Sequence, residues 1–202
     1  MFGLAVLVVG VIYLVVLIAV TCLAYSAAKK RGYSKAKCWM AAAGGFLVVY
    51  LPVFWDHVPT VVTHQYYCAT EAGFWEYKTV EQWKKENPGV AETLVANKNA
   101  PSRREGDMQS YTDTYFLNQR INWVVKRHGQ FLFNRWRHEQ EVVDTQGNQV
   151  LARYIDFSTS QERPQAGWSG WKMWLDTGHC RQGGHDEDAL ESYRQKLRGA
   201  TE

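Results

Sequence analysis

The sequence predicts an α+β protein in which an N-terminal two-helix transmembrane hairpin precedes one extracytoplasmic domain, an antiparallel β-meander with flanking helices. Three observations predict it. Two long apolar runs flank a basic stretch, Lys29 to Lys37, and water does not hold such runs, so the chain enters a bilayer and turns round. Between Thr112 and Ser158, aromatic and β-branched segments are broken by short turns, which is the texture of paired strands. From Asp186 to Arg198, acids lead, bases follow and Gly199 comes next, the pattern of a helix whose ends complement its dipole.

The first run, Phe2 to Ala28, lacks a charged side chain for more than 25 residues. At 1.5 Å per residue it exceeds the roughly 30 Å hydrocarbon layer. A cleaved signal peptide is the rival reading, because Ser26-Ala27-Ala28 resembles a cleavage site. No basic segment precedes the run, and it is longer than a signal's apolar region, so a retained helix is expected. The hinge, residues 29–37, carries Lys29, Lys30, Arg31, Lys35 and Lys37 and no acid. Such a cluster stays in the cytoplasm, so both termini and the C-terminal domain are expected on the periplasmic side of a bacterial inner membrane. The second run, residues 38–55, contains Pro52, where a kink or unwinding is expected. Ala41 and Gly45 stand four apart, a spacing that lets helix backbones approach, either against the first helix or as a homodimer seam. In the exit segment, residues 56–65, Asp56 and His57 read as interfacial residues and Pro59 as a helix breaker. The hairpin thus occupies residues 1–65 and the domain residues 66–202.

Within the domain, Thr79-Val80-Glu81-Gln82 has the form of a capping box, and helix is expected over Thr79–Val95, interrupted at Asn87-Pro88-Gly89. Residues 97–107 are polar and aperiodic and read as an exposed loop. Strands are expected around residues 115–125, 131–136, 141–143 and 149–157, with Trp171–Leu175 as one more. The residue 149–157 strand has no cleanly polar face, so a helix is expected to cover one side. Glu139 and Glu141 share a strand face with Arg135 and Arg137, the arrangement of a solvated ion-pair ladder.

Charge excludes one class of partner. The chain carries 23 bases and 20 acids; five of the bases and none of the acids precede Asp56, so the remainder holds 18 against 20. A near-neutral domain has no electrostatic footprint for nucleic acid. Outside the cytoplasm, Cys68 and Cys180 are expected to bridge. The alternatives are two thiols, or a metal site built from His64, Cys68, His179, Cys180 and His185. Trp168, Trp171 and Trp174 read as core aromatics or as a partner surface. No nucleophile elbow, zinc-protease helix, phosphate loop or dinucleotide fingerprint occurs, and no cofactor is indicated. The expected function is a membrane-anchored, non-catalytic interaction or ligand-binding module of the cell envelope, contacting the bilayer and an envelope protein. The alternative is an envelope hydrolase or transferase built on histidine and carboxylate.

Overall fold

The computed structural model describes residues 2–107, 109–129, 135–159, 172, 175–180 and 185–199. The chain forms two compact units, residues 1–59 with 167–172, and residues 60–166 with 173–202.

In the first unit, α1 (Phe2–Lys30) and α2 (Lys35–Phe54) are apolar and long enough to cross a membrane. They pack antiparallel: the Tyr13 hydroxyl donates to the Val49 carbonyl at 3.1 Å, and Tyr25 meets Trp39 edge-on. Gly45 sits where a Cβ would lie 2.9 Å from the Ala24 Cβ and 3.2 Å from the Val20 carbonyl oxygen, so its missing side chain admits α1 of the same chain. The hinge is shorter than the sequence suggests. Lys29 and Lys30 end α1, and Lys35 and Lys37 lie in the first turn of α2. Gly32, at φ +75°, closes α1, with its own N–H donating a hydrogen bond to the Lys29 carbonyl and the Tyr33 N–H donating one to the Ala28 carbonyl, a helix end that favours glycine. Pro52 does not end α2, which runs on to Phe54. Asp56 is buried and accepts from the Lys172 ammonium.

Helix α3 (His57–Thr70) incorporates Pro59 instead of breaking there. In the first turn of a helix proline's missing N–H leaves no bond unmade.

The second unit is built on a seven-stranded antiparallel sheet in the order β1-β6-β5-β4-β3-β2, with β7 also on β6. The strands are β1 (Gly73–Glu76), β2 (Ser102–Gly106), β3 (Ser110–Phe116), β4 (Ile121–Gly129), β5 (Arg135–Asp144), β6 (Gln149–Thr159) and β7 (Gly178–His179). From β2 to β6 each strand pairs with its successor, and β3 to β6 make up the antiparallel meander expected from the aromatic and β-branched segments. A register shift between Val142 and Val143 leaves Leu151 as the extra residue on β6, and both Leu151 and Ala152 are fully buried. Helices α4 (Val80–Glu86) and α5 (His185–Arg198) complete the core. Val80 and Trp83 pack with Ile121, Val142, Leu151, Ala152 and Tyr154, joined by Leu190, Tyr193 and Leu197 from one stripe of α5. The Thr79 capping box is formed in both directions.

Two local expectations are corrected. After α4, only a 3₁₀ turn (Ala91–Thr93) forms where helix to Val95 was expected; Gly89 takes φ +78° and Leu94 drops into the core in extended conformation. Residues 102–106, expected as loop, form β2, every residue of which is exposed. With no buried face, this edge strand has no alternation to betray it. The Trp168, Trp171 and Trp174 surface and most of the Trp171–Leu175 strand lie outside the described residues.

The charged pairs read from β5 form a network across three strands. Lys126 reaches Glu141 at 2.5 Å and Glu139 at 3.5 Å, Arg137 reaches Glu139 at 3.0 Å, and Arg153 reaches Glu141 at 2.6 Å. Both glutamates are buried, while Lys126, Arg137 and Arg153 each keep about a third of the side chain in solvent, so the ladder is solvated on its cationic side alone.

Candidate functional site

Chemistry-bearing side chains converge at the edge of β6. This edge has two partners in turn: β1 pairs with residues 152–155 and β7 with residues 158 and 159. At the junction, Asp156 and Phe157 receive the chain just beyond β7, where the Cys180 amide donates to the Phe157 carbonyl at 3.1 Å and to Asp156 Oδ1 at 3.0 Å. Cys180 is joined to Cys68 of α3 by a disulfide, with Cα atoms 5.2 Å apart. Cys22 and Cys38 are outside the bridge.

Three histidines stand around this junction. His64, one helical turn before Cys68, is buried, and its Nε2 and Nδ1 lie 3.4 and 3.8 Å from Cys68 Sγ. His179 bonds through Nδ1 to Asp156 Oδ2, which fixes that nitrogen as the one facing the carboxylate. His138 lies opposite Asp156 in the β5–β6 register, holds the Ser158 hydroxyl at 2.9 Å through Nε2, and packs its ring 5.2 Å from that of His179. Burial is the main influence on two of them. It pushes His138 down to about 4, reinforced by the Arg127 and His179 charges and opposed by Asp156. It also lowers His64, with Asp156 opposing and His179 adding. Both rings are therefore neutral near pH 7.

Ser158, His138, His179 and Asp156 do not compose a hydrolytic triad. The serine bonds one histidine and the carboxylate bonds the other, whereas a triad needs a single imidazole between them. Ser158 is also buried. The arrangement instead offers a metal-type donor set: one ring nitrogen of His64 and the sulfurs of Cys68 and Cys180 lie within 4.8 Å of one another.

A second feature is a cleft of about 310 Å³ on α5, lined by Trp123, Gln140, Glu187, Asp188, Glu191 and Arg194. The Arg194 guanidinium lies 3.8 Å from the Trp123 ring centre, Tyr115 stacks with Trp123, and Glu191 accepts from both Arg194 and Gln195. Gln195 and Arg198 line an adjoining hollow.

No protein family, curated protein or solved structure matches the chain. Function therefore rests on this geometry. Of the residues singled out by sequence, Cys68, Cys180, His64 and His179 meet at one place. His138, Asp156 and Ser158 were missed, because their meeting depends on strand register; the one local hint is an aspartate inside the apolar run Tyr154 to Phe157. The cleft residues gave no signal, being ordinary half-buried or exposed residues of α5, β4 and β5.

Proposed function

We propose that the protein is a membrane-tethered, non-catalytic binding module. In this reading α1 and α2 span the bilayer as a hairpin. The cations Lys29, Lys30, Arg31, Lys35 and Lys37 hold its turn in the cytoplasm, and the sheet domain stands on the extracytoplasmic side, in a bacterial inner membrane the periplasmic one. The Cys68–Cys180 bridge supports an oxidising compartment.

The observation that carries the binding reading is the α5 cleft. Its volume falls at the low end of the about 300–1,000 Å³ typical of ligand sites, which suits a side chain presented by a partner better than a large cofactor. Glu187, Asp188 and Glu191 outnumber Arg194 on its wall, so a basic or amide side chain of an envelope protein is the fitting occupant. A photo-crosslinking residue at Gln195 in living cells tests this. The expected result is a discrete adduct that Glu187→Ala with Glu191→Ala abolishes. No adduct, or the same adduct from exposed Lys84 on α4, overturns it.

A further inference from the structure

His64 has a poor partner for a buried imidazole. Both of its ring nitrogens find Cys68 Sγ, and a sulfur already bonded to another sulfur is a weak acceptor. A thiolate or a metal-bound sulfur in the same place would give that imidazole a strong role. The distances suit the second possibility. With Zn–S near 2.3 Å and Zn–N near 2.0–2.1 Å, a tetrahedral site sets sulfur and nitrogen roughly 3.6 Å apart and two sulfurs roughly 3.8 Å apart. The His64 to Cys68 separation, 3.4 Å, already matches the first of these edges. The second requires that the two sulfurs part, with the Cys180 sulfur, which lies within 4.8 Å of the His64 nitrogen, settling at the same sulfur–nitrogen distance.

We propose that the reduced domain is a metal site in which the thiolates of Cys68 and Cys180 and the imidazole of His64 hold one zinc-like divalent ion, with water in the fourth position. Thiolate and imidazole donors select zinc over the hard cations calcium and magnesium. The chemistry balances in two steps. A dithiol reductant supplies two electrons and two protons: the Cys68–Cys180 bond breaks, two S–H bonds form, and the dithiol becomes a disulfide. The metal ion then displaces both thiol protons and binds the two sulfurs. The sulfurs are thus bonded either to each other or to the ion, and the redox state of this one pair decides which. This site is separate from the α5 cleft and stands whether or not a partner docks there.

The test uses the full chain in detergent, in a Cys22→Ser, Cys38→Ser background so that only this pair contributes sulfur, with Co²⁺ as a coloured stand-in for zinc. The reduced protein is expected to bind one Co²⁺ with sulfur-to-cobalt charge-transfer absorption and tetrahedral d–d bands, and the disulfide form to bind none. His64→Ala should weaken binding by about tenfold or more. His64→Gln, which keeps a polar group at the buried position, carries the same test if the alanine variant does not fold. A reduced chain that takes up no Co²⁺, uptake without the charge-transfer band, or wild-type affinity in a folded His64 variant overturns the site.

Discussion

His138 couples the junction to pH. Its folded pKa, about 4, lies below its ordinary value of 6.5, because burial disfavours the imidazolium. Below pH 6.5 the unfolded chain binds the proton that the folded chain refuses, so stability is full above about pH 6.5 and falls as pH drops toward 4. The shift corresponds to an upper bound on the order of 3 kcal/mol. Thermal unfolding followed between pH 7 and pH 4 should show this decline, and His138→Gln, which cannot charge, should flatten it. An unchanged slope in a folded variant would remove His138 from the account. Asp144 shows the opposite balance. Burial alone would raise its carboxyl, but Arg120, the Trp83 indole and the Gln146 amide outweigh that and hold it below the usual range. Neither role can be read from sequence: His138 and Asp144 look like any polar residue on a strand, and what each does depends on which neighbours the register delivers.

Among the elements, those with a strong local period were the legible ones. The α5 stripe Leu190, Tyr193 and Leu197 is buried, and the Thr79 capping box is formed. Strand β2 and the truncated helix after α4 were not legible, since one has no buried face and the other yields to the burial of Leu94. Asn118, between β3 and β4, ties that turn to the end of α5. Its amide donates to the Leu197 and Arg198 carbonyls at the end of α5, at 2.8 and 3.0 Å, while its Oδ1 accepts from the Arg120 and Ile121 amides. Asn118→Ala leaves these groups without their partner in a buried position, and should cost about 2–4 kcal/mol. Urea unfolding measures it directly. Asn118→Asp, which keeps the acceptor and sets a charge against two carbonyls, should also destabilise the domain; a loss under about 0.5 kcal/mol in the alanine variant would show that water replaces the side chain.

At the scale of the whole molecule, the apolar runs and the meander were plain in the sequence because each is a contiguous pattern. The junction on β6 was not, because it joins residues from four separate stretches of chain: 64–68, 138, 156–158 and 179–180. For the proposed topology, a reporter active only in the cytoplasm, fused after Glu202, should stay silent; activity there would reverse the orientation. The bridge encloses a separation of 112 residues, for which loop-closure entropy amounts to roughly 4–5 kcal/mol, a large part of the about 5–15 kcal/mol typical of one domain. The strand order also has a consequence for the path by which the domain forms. Strands β2 to β6 meet their neighbours in succession and make mostly short-range contacts, whereas β1 must wait for β6, pairing Gly73 with Ile155. Distant pairings form slowly, since a long loop must close before any contact rewards it. A chain made from its N-terminus would therefore fold from the middle, with residues 73–76 idle until β6 arrives. Until then the backbone N–H and C=O groups of residues 73–76 lack the strand that will pair with them.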